Sequence, residues 1–334
     1  MKIAVIGAGS WGTALSQVLA GNGHNVGLWA RKPEVVAGIN ENHINPRYLT
    51  DSLLSESIVA TVSHRDTLER ARAALVVTPS HLVRGVGRAF SRVVDDDLPI
   101  LICSKGVEEG SGMLPIEVMA DEVGNPERIA VLSGPNHAEE VIKGTPAATV
   151  IASPSEQTAL FFRDLLATDA FRTYTSADPV GVELCAAFKN VIAIAVGISY
   201  GLGYGDNTAS LLITRGLAEM SRMVVACGGD ALTCMGLAGT GDMIATCMSK
   251  HSRNRRFGEE YVAKGKTVED FNAETHMVVE GALACKTIEV LSTRHGVDLP
   301  ITDVVRDIVW NGADPHECAQ LLAERPLTTE FYGI

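Results

Sequence analysis

The chain of 334 residues has no excess of positive charge and no cysteine pair of the CxxC type. Its formal net charge of -12 argues against general binding to nucleic acid or to anionic membrane surfaces. The seven cysteines are odd in number, a pattern typical of reduced thiols in a cytosol. We therefore predict a cytoplasmic protein with no metal site.

The N-terminus has no segment that resembles a secretion signal. It begins MKIAVIGAGS, which lacks the apolar stretch and the small-residue cleavage site of a signal peptide. The apolar stretch at residues 182–199, VELCAAFKNVIAIAVGIS, contains Lys189 and is broken further on by glycines. We therefore expect no membrane insertion.

Short β-branched runs alternate with helical segments in the first half of the chain. Strands are predicted at 2–7, 25–30, 57–62, 73–78, 99–104, 129–134, 148–153 and 171–176. Helices are predicted between them, for example at 10–22, 81–92 and 136–143. The continuous apolarity of the strands indicates a sheet covered on both faces. The fold class is α/β, with an N-terminal doubly wound, Rossmann-type, mostly parallel sheet.

Strand patterns stop near residue 176, and residues 180–322 show helix after helix. We predict two domains, with residues 1–178 forming the sheet domain and residues 179–334 forming an all-helical domain.

A glycine-rich motif, GAGSWG at residues 7–12, lies between the first strand and the first helix. In this setting GxGxxG predicts a dinucleotide site. Gly7 permits the tight turn, Gly9 lets a pyrophosphate approach the backbone, and Gly12 lets the helix lie close to the strand. The alternative is a purely structural turn.

The end of the second strand distinguishes NAD from NADP. An NAD site usually has Asp or Glu there, which binds the ribose 2′-hydroxyl. This chain has Arg31 and Lys32 instead, and two cations suit a 2′-phosphate. We predict a preference for NADP, although Glu34 lies close enough to substitute in part for the missing acid.

Lys189 and Asn190 stand in the middle of the apolar stretch at residues 182–199. The lysine either extends along the surface with its ammonium in water or lies at a reaction centre. Lys105 follows the fifth strand, where parallel strands of an open sheet face their ligand. It is also open to interpretation as a surface loop lysine.

A second polar cluster spans residues 239–258. Asp242 and Thr246 are four residues apart and would share one face of a helix. The run KHSRNRR at residues 250–256 holds four cations in an acidic protein. Arg253 is suited to binding phosphate oxygens, whereas the ordinary interpretation of such a run is a solvated basic face.

Eight motifs occur in a specific order. They are GAGSWGTALS (7–16), WARKPE (29–34), SKG (104–106), SGPNHAEEV (133–141), FKNVIAIAVG (188–197), GTGDMIATC (239–247), SRNRRFG (252–258) and VVEG (278–281). With these motifs in this order and at these intervals, the chain resembles the bacterial-type NAD(P)-dependent sn-glycerol-3-phosphate dehydrogenases over nearly its whole length.

The resemblance implies roles for individual residues. Lys189 would be the proton acceptor for the C2 hydroxyl of glycerol 3-phosphate. The residues implied around the reacting carbon are Lys105, Asn190, Asp242 and Thr246. Those implied for the substrate phosphate are Ser252, Arg253 and Asn254, and those implied for substrate contacts from a loop are Gly134 and Asn136. Those implied for cofactor contacts are Ser10, Trp11, Arg31, Lys105, Ala138, Arg253, Val278 and Glu280. Asn136 stands where many members of the family have Ser or Thr.

The resemblance also implies the reaction, which is hydride transfer between NADP or NAD and the C2 carbon of glycerol 3-phosphate or dihydroxyacetone phosphate. It implies a role in supplying glycerol 3-phosphate for phospholipid synthesis. The apolar helices of the second domain suggest a homodimer. Two alternatives stay open: a related two-domain dehydrogenase of another hydroxy acid, and a dinucleotide-binding sensor without catalysis.

Overall fold

The computed structural model describes residues 1–250, 252–275, 278–327 and 329–330, which form two compact units. The first unit consists of Met1–Ser104 and Pro115–Pro179. The second consists of Lys105–Leu114 and the described residues from Val180 onward. A single division at residues 178–179 takes no account of the segment Lys105–Leu114. This segment groups with the helical unit, where Lys105 forms an ion pair with Asp242.

The first unit contains one eight-stranded sheet with the strand order β3-β2-β1-β4-β5-β6-β7-β8. The strands are β1 (Lys2–Ile6), β2 (Asn25–Trp29), β3 (Ile58–Thr61), β4 (Ala74–Val76), β5 (Ile100–Ile102), β6 (Ile129–Ser133), β7 (Ala147–Ala152) and β8 (Phe171–Ser176). Every neighbouring pair is parallel except β6 and β7. The predicted mostly parallel sheet is thereby confirmed.

Helices cover the sheet and complete its apolar core. They are α1 (Ser10–Gly21), α2 (Pro33–Asn42), α3 (His64–Leu68), α4 (Val83–Phe90), α5 (Pro115–Val123), α6 (Ala138–Val141) and α7 (Glu156–Leu166). Serine N-caps start two of them, since Ser63 accepts a hydrogen bond from Asp66 N and Ser155 accepts one from Thr158 N. The strand residues Ile3, Val5 and Leu28 have no exposed surface and lie in this core.

The second unit contains helices and loops but no strand among its described residues, as predicted. Its helices are α8 (Pro179–Gly201), α9 (Asp206–Ala226), α10 (Asp242–Met248), α11 (Arg253–Lys264), α12 (Val268–Thr275), α13 (Glu280–His295), α14 (Pro300–Asn311) and α15 (Pro315–Ala323). A 3-10 helix at Ala231–Met235 and a π-helix at Leu237–Gly241 lead into α10. Left-handed glycines end α11, α13 and α14, which is a common way to stop a helix.

Helix α8 is the centre of the second unit. It is long and apolar enough to cross a membrane, but its apolar window is completely buried inside the structure. Nineteen of its residues are buried, so α8 is a core helix. Glycines on α8 and on α11 allow these two helices to approach closely. A Cβ on Gly197 would lie 2.1 Å from the carbonyl oxygen of Arg255, and one on Gly258 would lie 2.4 Å from that of Ile194.

Candidate functional site

The glycine-rich loop after β1 has two glycines that the local backbone requires. Gly7 has a φ of +121°, a conformation that residues with a side chain rarely adopt, and a Cβ there would lie 2.3 Å from the carbonyl oxygen of Val77. A Cβ on Gly12 would lie 1.8 Å from the carbonyl oxygen of Gly7. The turn and the close contact between helix and strand therefore both depend on the absence of a side chain.

Gly9 differs from these two glycines because no described atom lies within 4 Å of the position that its Cβ would take. Protein packing therefore does not require glycine here. Gly9 is the N-cap of α1, whose first backbone N–H groups and helix dipole favour an anion. Open space at this point fits a pyrophosphate group that approaches the backbone closely.

The end of β2 carries a small charged cluster. Arg31 is exposed, and Lys32 is the N-cap of α2. The Oε1 atom of Glu34 lies 3.9 Å from Lys32 Nζ and 3.5 Å from Arg47 Nη1. The carboxylate of Glu34 thus faces two cations. Arg47 is a positive charge that the sequence motifs do not indicate, because it reaches this point from a loop.

Other predicted residues of the first unit take part in local packing. The Trp11 ring meets the Phe171 ring edge-to-face, with centroids 6.2 Å apart. The Asn136 amide nitrogen donates to the carbonyl oxygen of Ala148 at 2.8 Å. A Cβ on Gly134 would lie 2.9 Å from that same oxygen. Ser10 and Ala138 are the first residues of α1 and α6.

Lys189 is buried and paired, which excludes the surface interpretation. Its side chain is 8% exposed, and Nζ donates to Asp242 Oδ1 at 2.5 Å and to Thr246 Oγ1 at 3.0 Å. Lys105 Nζ donates to the other oxygen of Asp242, at 2.9 Å. One carboxylate therefore lies between two ammonium groups, and Lys105 is not a surface loop lysine.

The two lysines of this cluster differ in pKa. Burial lowers the pKa of Lys189 to about 8, and the nearby charge of Lys105 lowers it as well, against the raising effect of Asp242. Burial also acts to lower the pKa of Lys105, but the charges of Asp242 and Glu280 outweigh it and raise that pKa. Burial would raise the pKa of Asp242, and the two ammonium groups lower it instead.

Asn190 links this cluster to two other helices. Its Oδ1 accepts a hydrogen bond from the Asn254 amide at 2.9 Å, and Asn254 Oδ1 accepts one from Gly281 N at 2.9 Å. The Asn190 amide nitrogen lies 3.5 Å from Glu280 Oε2. A Cβ on Gly281 would lie 2.3 Å from the carbonyl oxygen of Asn190, so α13 meets α8 at backbone contact.

The predicted phosphate-binding residues lie at the N-terminus of α11. Ser252 is buried and caps the helix by accepting from Arg255 N, while Arg253 is exposed. Two arginines of the basic run have structural partners, since Arg255 bonds to Glu259 and Arg256 to Glu260, both at 2.8 Å. His251 of this run lies outside the described residues.

The structure therefore brings predicted residues of the second unit together in two sets of contacts. One set joins Lys105, Lys189, Asp242 and Thr246. The other begins at Asn190, the next residue in the chain after Lys189, and adds Asn254 and Glu280. Val278 is 40% exposed just before α13. The glycine loop, Arg31 and Lys32 lie in the first unit. The sequence motifs miss Arg47 and the buried Asn45, although the Asn-Pro pair at residues 45–46 does indicate a turn.

Models of one family match both parts of the chain. Residues 2–159 match the N-terminal part of NAD-dependent glycerol-3-phosphate dehydrogenase, and residues 178–320 match its C-terminal part. The glycerol-3-phosphate dehydrogenase [NAD(P)+] of Chlorobium luteolum is 42% identical over 323 residues, which is 96% of each chain. That of Streptomyces griseus is 44% identical over 331 residues, with 99% of this chain and 98% of the relative covered.

A solved structure agrees with these sequence matches. The crystal structure of glycerol-3-phosphate dehydrogenase from Coxiella burnetii superposes with a TM-score of 0.92 at 38% sequence identity. The match covers 97% of this chain and 99% of the other. The similarity thus extends over both units of the fold.

Proposed function

The chain belongs to the family of NAD-dependent glycerol-3-phosphate dehydrogenases, and on that premise we propose that Lys189 is its acid–base residue. The enzyme interconverts sn-glycerol 3-phosphate and dihydroxyacetone phosphate by hydride transfer with NAD or NADP. Bound NAD(P) supplies or accepts the hydride at its nicotinamide ring. The protein must then bind and orient the substrate and move one proton at the C2 oxygen.

The observation that carries the proposal is the burial of the Lys189 ammonium against Asp242 and Thr246. An ordinary lysine is too strong a base to give up its proton readily at neutral pH. A pKa of about 8 places Lys189 close to the operating range of a general acid or base. When dihydroxyacetone phosphate is reduced, Lys189 donates a proton to the C2 oxygen. In the reverse direction its neutral amine accepts the proton of the C2 hydroxyl.

The neighbours of Lys189 hold it in position. Asp242 accepts hydrogen bonds from both ammonium groups. Thr246 accepts a second hydrogen bond from Lys189, so the direction of Lys189 Nζ is fixed. The second ammonium, that of Lys105, keeps its proton and adds positive charge where the C2 oxygen becomes negative. Asn190 supplies a further polar side chain next to Lys189.

The substrate phosphate binds at the N-terminus of α11, where Ser252, Arg253 and Asn254 lie. Arg253 is exposed at the first position of this helix, and the helix dipole favours an anion there. Binding the phosphate at a distance from the reacting carbon fixes C2 in position.

Replacement of Lys189 tests the acid–base role. We expect Lys189→Met to lower kcat for dihydroxyacetone phosphate by about 10² to 10⁴ while NADPH still binds. The control is Lys264→Met, a change at a surface lysine that lies 3.7 Å from Glu260. Near-normal turnover of the Lys189 variant, measured by NADPH absorbance, would reject the role.

Replacement of Arg253 tests the phosphate site. Arg253→Ala is expected to raise KM for dihydroxyacetone phosphate by about tenfold or more, because a charge-assisted contact is lost. Arg256→Ala is the matched control on the same helix, since Arg256 is paired with Glu260. An unchanged KM in the Arg253 variant would remove this residue from the site.

A preference for NADP over NAD is proposed from the cations at the end of β2. Glu34 faces Lys32 and Arg47, so its charge is compensated and does not oppose a 2′-phosphate. Arg31→Ala should lower the ratio of kcat/KM for NADPH to that for NADH by about tenfold, whereas Arg163→Ala on the same unit should not. A wild-type enzyme that strongly prefers NADH would overturn the proposal.

The chain is also proposed to act in the cytoplasm as a homodimer that supplies glycerol 3-phosphate for phospholipid synthesis. Its two units are the dinucleotide-binding and the substrate domains.

Large apolar side chains are exposed on the second unit, among them Leu232 and Met235 at 73% each and Leu211 at 58%. Light scattering should give twice the mass of the chain, and the mass of a single chain would contradict the dimer.

A further inference from the structure

Asn45 lies in the loop between α2 and β3 and has no exposed surface. A completely buried amide in a loop is costly unless its polar atoms are hydrogen-bonded. Its amide nitrogen donates to the carbonyl oxygen of Ala8 at 3.0 Å and to the Thr13 hydroxyl at 2.9 Å. Both partners belong to the segment of the glycine-rich loop and the first turn of α1.

The bond to Ala8 fixes one peptide plane of the glycine-rich loop. In a trans peptide the C=O and the following N–H point in opposite directions. With the Ala8 carbonyl held by Asn45, the N–H of Gly9 is directed to the opposite side, away from Asn45. Gly9 is the position where the space for a Cβ is open and where a pyrophosphate approaches the backbone.

The bond to Thr13 fixes the helix that follows the loop. Thr13 N donates to Gly9 O at 2.9 Å, which is one of the first hydrogen bonds of α1. The same amide group of Asn45 therefore binds both the loop and the helix whose N-terminus faces the phosphates. This side chain therefore adds to the backbone hydrogen bond in holding the loop against the helix.

The other end of the Asn45 side chain anchors it to its own loop. Its Oδ1 accepts from Arg47 N at 3.1 Å and from Tyr48 N at 3.2 Å, which is the pattern of a turn closed by an asparagine. This turn also places Arg47 Nη1 3.5 Å from Glu34 Oε1, in the first turn of α2 just after β2. Asn45 thus connects the pyrophosphate loop to the charged cluster at the end of β2.

We propose that Asn45 is a positioning residue for dinucleotide binding, which orients the glycine-rich loop through Ala8 and Thr13. It acts through these two residues and does not itself contact the cofactor. The inference rests on the proposed function, since it presupposes that the loop binds NAD(P).

The test compares Asn45→Ala with Asn40→Ala. Asn40 is the control because its side chain also ties its segment to another one through backbone hydrogen bonds. Both of its bonds go to Ala60, at 3.0 and 2.8 Å, and neither reaches the glycine-rich loop. We expect Asn45→Ala to raise the Kd for NADPH by about tenfold, with KM for NADPH rising more than kcat falls. Asn40→Ala is expected to lower Tm and leave this Kd unchanged.

A second variant covers the case in which Asn45→Ala does not fold. Thr13→Val keeps the shape of a buried side chain and removes only one acceptor of the Asn45 amide. It should raise the Kd for NADPH by about threefold. A folded Asn45→Ala with wild-type Kd, equal rises in both asparagine variants, or an unchanged Kd in Thr13→Val would overturn the proposal. Failure of the wild-type protein to bind NADPH would overturn the proposed function instead.

Discussion

At the scale of single residues, the main feature is one carboxylate shared by two ammonium groups. Asp242 contacts Lys189 and Lys105 through different oxygens, yet the pKa of Lys189 falls and that of Lys105 rises. Lys105 has the additional negative charge of Glu280 nearby. In the proposed mechanism the pair therefore separates into one lysine that exchanges a proton and one that keeps its charge.

The pH profile should follow this separation. In the proposed mechanism, reduction of dihydroxyacetone phosphate needs protonated Lys189, so its kcat/KM should fall as pH rises through about 8. Oxidation of glycerol 3-phosphate needs the neutral amine, so its kcat/KM should rise through the same pH. Initial rates in both directions across pH 6 to about 10 measure the two profiles. Profiles that bend in the same direction would contradict the assignment.

Replacement of Lys105 should shift the pH at which these profiles bend, which reports the pKa of Lys189. The charge of Lys105 lowers the pKa of Lys189, so Lys105→Met is expected to shift the bend to higher pH, together with a loss of activity. Lys264→Met again serves as the control and should leave the bend in place. A shift to lower pH in the Lys105 variant would contradict the conclusion that the charge of Lys105 lowers the pKa of Lys189.

At the scale of elements, the site depends on how closely α13 approaches α8. The contact between Gly281 and the backbone of Asn190 leaves no room for a methyl group. Asn254 on α11 bonds to both elements, so three helices meet at Asn190, the residue that follows Lys189 in the chain. The position of Lys189 is thus determined by helix packing.

Gly281→Ala should therefore be destabilising although alanine favours helices. We expect a loss of about 1–3 kcal/mol in the free energy of unfolding, because the helices must separate, together with reduced activity. Gly85→Ala is the matched control, since Gly85 lies inside α4 and no described atom is within 4 Å of its Cβ position. That change should stabilise the protein by about 0.5–1 kcal/mol. Urea unfolding of both variants measures the difference.

At the scale of the whole molecule, a second buried acid links stability to pH. Glu219 on α9 is 1% exposed and accepts hydrogen bonds from Ile301 N at 2.6 Å and from Thr302 N at 3.2 Å, at the start of α14. Burial raises its pKa from 4.5 to about 7, against the lowering effect of these hydrogen bonds. The folded state therefore holds the Glu219 proton more tightly than the unfolded state does.

This linkage predicts the direction of the change in stability. The contribution of Glu219 is complete below pH 4.5 and is lost as pH rises through about 7, which amounts to about 3 kcal/mol. Glu219→Gln should remove this part of the pH dependence between pH 5 and 8. Denaturant unfolding of the wild type and the variant at pH 5 and at pH 8 measures this difference in the free energy of unfolding. An identical pH dependence in the two proteins would exclude the linkage.

A second glutamate provides the control for this experiment. The hydrogen bond from Lys266, opposed by burial and aided by Arg256, lowers the pKa of Glu260 to about 2. Its contribution is present above pH 4.5 and is lost only as pH falls towards 2. Glu260→Gln should therefore change stability equally at pH 5 and pH 8.

The sequence by itself determined the local features of this protein. The eight strands follow from apolar β-branched runs, and the glycine-rich loop follows from glycines that a tight turn requires, as the φ of Gly7 shows. The contact between Asp242 and Thr246 follows from helical spacing alone. These features were predictable because residues close in the chain decide them.

Only the tertiary structure decided which distant residues meet. Lys105 lies 137 residues from Asp242 in the chain, and no local pattern shows that one carboxylate bonds to both Lys105 and Lys189. The choice between a surface lysine and a buried one likewise depended on the helices packed around α8. Burial and the distances between charges set pKa values, and both exist only after folding brings separate segments together.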